Sequence, residues 1–503
     1  MKKILSLCLT ALCVVSLFSG CNEKKETDGG NAPAEIMIFR TDGGRIFTED
    51  NPVIVEVEKR TNTKIDMNLV KSADAVSKYS ILVASGDIPD ISMLPGFNHF
   101  QFVNQDLYVE LEPLLEKHGQ NITKVLSNQE DWDLLKTNGK QYAIPYSNTP
   151  GKNLLVARKD WMDTLNIEPP VTLEEYIDMI RRFATDDPDG NGKRDTYGIT
   201  TQNETDFYVA FMHIYGAFGV QPQTYFIRDN NVYPSSTTSE YKQVLELLAE
   251  LYKDKIIDPE IFLHKQDQAR QKIVLGKSGS LSAWWSLVPQ VLTEQLKMKE
   301  INPDADWIIL DPPVGKDGAS GMRPAEIISS SIAIAKDSKN QIPAMRFLDF
   351  LATDDGWDLV NYGLEGIHYT TIGNRTPEGD KGFKEKWLDV LSQTLWNVER
   401  QNKDWKENTP ENWKYIEKAM NSKLYKNDFY GIITDDYNTL YPDIKKLEDE
   451  WLIKFVSGEV PLSRFSEYVA QWNQKGGEQM MQSMVKEYNV RNNTNIVYEA
   501  GKE

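Results

Sequence analysis

The sequence predicts an α/β fold, and three neighbouring stretches predict it. EIMIFR, residues 35–40, is a short apolar strand, and NPVIVEVEKRTNTKI, residues 51–65, is a helix running into a strand. SADAVSKYSILVASG, residues 72–86, then carries apolar residues at helical spacing before the turn GDIPDI. Strand, helix, strand implies parallel strands joined by crossover helices.

The chain has 503 residues, 40% of them hydrophobic, enough to bury large cores in roughly two to four domains. Ahead of the first strand, Lys2 and Lys3 precede an apolar run from residue 4 to 18 that is short for a bilayer span and suits a signal h-region. It ends in Leu17, Phe18, Ser19, Gly20 and Cys21, which resembles the lipobox of bacterial lipoproteins, in which the cysteine receives a diacylglyceryl thioether and becomes the new N-terminus. Phe18 departs from the leucine usual there. Residues 1–20 are therefore expected to be a lipoprotein signal peptide and Cys21 the lipidated residue; an uncleaved anchor or an ordinary secretory signal is the alternative.

The cysteines are Cys8, Cys13 and Cys21, so the processed chain keeps one thiol, which lipid would occupy, and no disulfide can form. Loss of Lys2 and Lys3 takes the formal charge from −19 to −21. So acidic a body is a poor partner for nucleic acid or an anionic membrane surface, and attachment should come from lipid alone. Residues 21–34, polar and Gly/Pro-bearing without apolar period, read as a flexible tether.

No GxGxxG, GxxxxGK[ST], HExxH or GxSxG motif occurs, which weakens nucleotide-binding and common hydrolase readings. Near the C-terminus, Trp451, Phe455, Phe465, Tyr468 and Trp472 recur at helical spacing around a break at Gly458 to Pro461, a pattern of core packing. Trp357 also sits on a helical pattern and reads as packing.

The stretch DPDGNGKRDTYG is more specific. Counted from Asp187, side-chain oxygens fall at places 1 (Asp187), 3 (Asp189), 5 (Asn191) and 9 (Asp195), Gly192 allows the sharp turn, and Lys193 can offer its backbone carbonyl. This is the spacing of an EF-hand calcium loop, because alternate positions of a curling loop bring hard oxygens inward together. Gly198 stands at place 12 instead of the bidentate Glu, and the flanks read as helix before and strand after, so a structural Ca2+ is expected and not a sensor. The competing reading is an Asx-rich turn without metal.

Here a family resemblance enters. ILVASGDIPDI, YAIPYSN followed by LLVARKDWMDTLNIEPPVTLEEY, the aspartate loop, GKSGSLSAWW and GLEGIHYT look like the extracellular solute-binding lipoproteins of ABC carbohydrate importers, the family 1 group that includes alginate-oligosaccharide-binding and LipO-type lipoproteins. The resemblance spans about residues 35–477. It implies a two-lobed periplasmic-binding-protein-like fold (type II), with a hinge, a cleft for an oligosaccharide between the lobes, handover to an ABC permease, and a monomer outside the cell membrane. Lobe 1 is expected in 35–147 plus 327–372, lobe 2 in 148–326 plus 373–503, with crossings near 145–150, 322–330 and 370–374.

A sugar cleft needs flat apolar faces ringed by polar groups. Trp284 and Trp285 align with the stacking-aromatic region of the resemblance, and in a strand only one of two neighbours can face the cleft; Trp285 is preferred. His368 and Tyr369 lie near an expected crossing, although a lone histidine is often structural. Asp87, beside Asp90 in GDIPD, is a ligand candidate whose competing role is a turn or cap. Arg158 could contact ligand oxygens or pair with Asp160. Two other classes remain: a secreted glycosidase, which needs two carboxylates across the sugar, and a calcium-dependent scaffold module, whose kind duplicates a loop present here once.

Overall fold

A computed structural model describes residues 32–147, 151, 153–201, 207–264, 266–285, 298–323, 328–388, 390–392, 394–395 and 397–501. The expected signal peptide, Cys21 and most of the tether lie outside the described residues. Nine strands build two sheets: β1 Ala34–Thr41, β2 Thr63–Val70, β3 Ile91–Pro95, β4 Ile144–Ser147, β5 Asn153–Arg158, β6 Tyr197–Ile199, β7 Ser278–Trp284, β8 Trp307–Leu310 and β9 Ile328–Ile334. Helices used below are α1 Pro52–Thr61, α2 Ala75–Ser85, α3 Leu173–Thr185, α4 Phe207–Ala217, α5 Ser239–Lys253, α6 Gln341–Ala352, α7 Val398–Asn408, α8 Pro410–Met420, α9 Asp435–Val456, α10 Phe465–Gln474 and α11 Gly477–Asn492.

The predicted β1, α1, β2, α2 succession is present, with local causes. Asn51 caps α1 by accepting the Val53 N–H at 2.9 Å, Pro52 occupies the first turn, and Asn62 ends the helix in the left-handed region. Gly86 ends α2 at φ 84°. β1 pairs in parallel with β2 and with β3, as the crossover pattern requires.

The sheets are mixed, where an all-parallel arrangement is expected. The first runs β2-β1-β3-β9-β4, and β9 enters antiparallel to both β3 and β4. The second runs β8-β5-β7-β6, with β5 antiparallel to both neighbours. The antiparallel β9 comes back from the second sheet, so no local crossover helix sets its direction.

Each sheet has its own core. Ile36 and Ile38 on one face of β1 join Ile65, Met93, Ile332 and α6, while Phe39 on the opposite face packs with Tyr79, Phe102 and Tyr108. The second core gathers α3, α4 and α5 with the C-terminal helices, and the whole stripe Trp451, Phe455, Phe465, Tyr468 and Trp472 is buried in it. Trp357 is buried on its helix.

One expected boundary needs correction. Residues from 373 onward are assigned above to lobe 2, yet Trp387, Leu388, Val390, Leu391 and Leu395 pack in the first core. Residues 369–375 form a small hairpin, and α7 still docks on the first unit through Arg400, which donates to the Ala352 carbonyl at 2.8 Å. The chain joins the second unit at α8, whose Tyr415 and Ala419 pack with Leu154 and Val156 of β5. Composition hides this crossing, because α7 and α8 are both amphipathic and only their partners differ.

Candidate functional site

Where β3 ends, the chain turns through Gly96 at φ 52° and presents Phe97 and Asn98 toward the second unit. A cavity of about 340 Å³ opens there, with its other walls from residues 223–225, Arg323, Asn427, residues 429–433, α9 and Met484 of α11. A cleft beyond the carboxyl end of an open α/β sheet is where such folds bind ligands.

Residues 427–433 strap the two units together. Tyr430 accepts the Ile328 N–H of β9 at 2.7 Å and sets its ring edge-on to Phe97 at 5.5 Å. Asn427 Oδ1 accepts the N–H groups of Tyr225 and Phe429, each at 3.2 Å, and Asp428 accepts the Ile227 N–H at 3.0 Å. Gly431, at φ 79°, allows the close approach: a Cβ there would stand 2.7 Å from Leu134 of the first unit.

The opposite wall is the first turns of α9. Tyr437 and Tyr441, four residues apart on one face, stack at 4.6 Å with 12° between planes. Burial pushes the Tyr441 phenol well above its ordinary range. Pro442 lies inside α9 and has no N–H, which deprives the Asn438 carbonyl of its helical donor beside the cavity. Arg323 donates to Gln223 Oε1 at 3.2 Å. Among the described lining residues Arg323 is the one charged side chain, and none is a carboxylate.

None of the sequence-predicted sugar residues lines this cavity. Asp87 is exposed in the turn after α2, accepting from Ser85 at 3.1 Å, the turn role weighed above. Arg158 is fully buried, paired with Asp160 at 2.7 Å and stacked over Trp161 at 4.5 Å, so it is a structural cation and not a ligand contact. His368 is also fully buried; its Nδ1 accepts the Leu364 N–H at 2.9 Å, and burial lowers its pKa. Tyr369 packs edge-on to Tyr362 at 6.4 Å in the hairpin, and burial, then Glu365, raises its pKa. The Trp284 side chain lies outside the described residues. Trp285 is half-buried beside the β5–β7 core and meets Trp405 of α7 edge-on at 4.8 Å, so this pair joins the two units.

Sequence reading missed Phe97, Tyr430, Tyr437, Tyr441 and Trp405. One signal was present: in YNTLYP two tyrosines four apart run into a helix-interior proline.

The aspartate loop lies between α3 and β6, its side chains linked by hydrogen bonds. Asp187 carboxylate oxygens accept the N–H groups of Asn191 at 3.1 Å and Gly192 at 2.9 Å. Asn191 Nδ2 donates to Asp189 at 2.8 Å and to Asp195 at 3.1 Å, and Lys277 holds Asp195 from outside at 2.6 Å. Burial and the neighbouring Asp187 and Asp195 raise the Asp189 pKa, while Lys277 and Asn191 lower that of Asp195. Like-charged carboxylates supply hard oxygens of the kind calcium takes, and here the Asn191 NH2 bridges Asp189 and Asp195 while its oxygen accepts the Lys193 N–H at 2.8 Å. A second acidic group, Asp258, Glu260 and His264, is already served by the Lys272 ammonium, 2.9 Å from Asp258 and 2.7 Å from Glu260, so it does not need a metal. Among the described residues no helix is long and apolar enough to cross a membrane.

Comparison with known proteins agrees with this geometry. The chain is 25% identical over 448 residues to the polygalacturonan/rhamnogalacturonan-binding protein YtcQ of Bacillus subtilis, covering 85% of this chain and 86% of that one. It is 24% identical over 514 residues to lipoprotein LipO of the same organism, covering 97% and 98%. Among solved structures, the S. pneumoniae ABC-transporter substrate-binding protein FusA, as an EF-hand mutant in complex with fructo-nystose, superposes with TM-score 0.65 at 16% identity, covering 92% of this chain and all of that one. The fold is thus that of a two-lobed solute-binding protein. Residues 47–356 match the bacterial extracellular solute-binding protein family, and the chain belongs to that family.

Proposed function

We propose that this chain is a lipid-anchored, extracytoplasmic substrate-binding protein that captures an oligosaccharide by lobe closure and delivers it unaltered to the permease of an ABC importer. The observation that carries this reading is the cavity at the end of β3, walled by both units with aromatic rings and amides and, among its described residues, no carboxylate. Aromatic faces stack on sugar rings, and amides replace the water bonds of hydroxyls. A glycosidase would need two carboxylates flanking the bond to be cut, so the cavity favours holding over hydrolysis.

A sugar that touches both walls favours the closed arrangement by its differential contacts, and the closed shape is what a permease can read. Trp285 and Trp405, which lie outside that cavity, join the two units by an edge-on ring contact. Lobe 1 in this reading comprises the first sheet with α6 and α7, and lobe 2 the second sheet with α8 to α11. Relatives named for polygalacturonan and for a fructan complex support a carbohydrate ligand.

Asp187, Asp189, Asn191, the Lys193 carbonyl and Asp195 would hold a structural Ca2+, which braces the loop between α3 and β6. Cys21 would carry the lipid, and the protein would act as a monomer on the outer face of the membrane. Thermal unfolding against a panel of neutral and acidic oligosaccharides tests the reading, since a ligand of the folded state raises stability by mass action. A shift with one sugar class and recovery of that sugar intact are expected. Conversion to shorter products would replace the reading with an enzyme.

A further inference from the structure

The geometry points to a neutral oligosaccharide, and not a polyuronate, as the ligand of the cavity at the end of β3; this rests on the binding-protein reading above and names its substrate class. The reason is the balance of donors and acceptors on the walls. Asn98 gives one Nδ2 hydrogen to the Pro95 carbonyl at 2.6 Å, which leaves its oxygen to accept and its second N–H to donate. Asn427 spends its oxygen on two backbone N–H groups, which leaves its NH2 to donate. Pro442 frees the Asn438 carbonyl, a further acceptor. A hydroxyl both donates and accepts and can meet each of these groups, whereas a carboxylate only accepts and is repelled by a carbonyl.

Charge points the same way. A polyuronate brings one negative charge per sugar, and each must exchange water for a cation or several donors to enter a cleft. The described lining offers one guanidinium, Arg323, which also donates to Gln223 Oε1 in the wall. The whole chain carries a formal −19, which opposes the approach of a polyanion.

The test is calorimetric titration of the full chain, purified in detergent, with matched tetramers. One arm is α-1,4-tetragalacturonate; a second is the same tetramer with its carboxyls reduced to the neutral galactose form; a third pools neutral mannan and fructan tetramers. Binding in a neutral arm at least about tenfold tighter than to tetragalacturonate, with an affinity that does not change between low and high salt, is the expected result. Tetragalacturonate binding tighter than every neutral arm, with affinity falling as salt rises, overturns the neutral assignment while leaving the binding protein standing. Silence from every arm overturns the binding-protein reading itself and this inference with it.

Discussion

Replacing Glu448 by glutamine should make the protein more stable above neutral pH and leave it unchanged in acid. Glu448 sits on α9 inside the second core, 3% exposed, and its Oε1 accepts from Ser236 Oγ at 2.5 Å and Trp472 Nε1 at 2.9 Å. Burial is the main reason its pKa is pushed up to about 7 from the usual 4.5; Asp449 adds to the rise, and Ser236, Trp472 and Lys445 oppose it. A carboxyl that titrates higher in the fold than in the unfolded chain favours the fold when protonated. Its stabilisation is therefore full below pH 4.5 and is lost as pH rises through 7. At about 1.4 kcal/mol per pH unit of separation, the loss is about 3 kcal/mol. Glutamine keeps both hydrogen bonds with its oxygen and cannot ionise, so the variant avoids the loss. Melting temperatures of the two proteins should coincide near pH 4.5 and differ by about 5 °C at pH 8. Other titrating groups cancel in that difference. A difference that does not vary with pH, or a variant less stable at pH 8, would refute the reasoning.

Phe97→Ala and Tyr437→Ala, on the two walls of the cavity, should each weaken sugar binding by about 10- to 30-fold, the cost of removing a large aromatic anchor from a desolvated contact; calorimetry separates this from a purely structural role, which would lower the melting temperature alone. Chelating calcium should lower the melting temperature and adding calcium should restore it, worth about 2.7 kcal/mol at a hundredfold excess over Kd; Asp189→Asn should abolish the response in the same thermal scan. Arg158→Ala empties a buried guanidinium site, leaves the partly exposed Asp160 unpaired and removes the stack on Trp161, so a loss of about 2–3 kcal/mol is expected in urea unfolding, with sugar affinity unchanged in calorimetry.

Much of this architecture was legible because its causes are local. The first crossover unit follows from apolar period and from caps such as Asn51 and Gly86, and the aspartate loop from spacing alone. The C-terminal stripe follows from aromatic period, and Trp451 to Trp472 are indeed core. The cavity was not legible, because its walls come from segments as far apart as Phe97, Gln223, Arg323 and Tyr441, and only the tyrosine pair before Pro442 leaves a local signal. Arg158 illustrates the opposite error: a cation after a strand resembles a ligand contact until Trp161, Trp307 and Asp160 are seen around it. The third crossing failed for a similar reason, since only the burial of Trp387 to Leu395 against the first sheet assigns that segment.

The central claim is capture without chemistry in a cleft shared by two lobes. It is tested most directly by titrating the protein calorimetrically with the oligosaccharide that most raises its melting temperature and then recovering the sugar by chromatography. The account predicts saturable one-to-one binding, weakened by substitutions on either wall, and sugar returned at its original length. Heat that persists after saturation, with shorter sugars recovered, would contradict it.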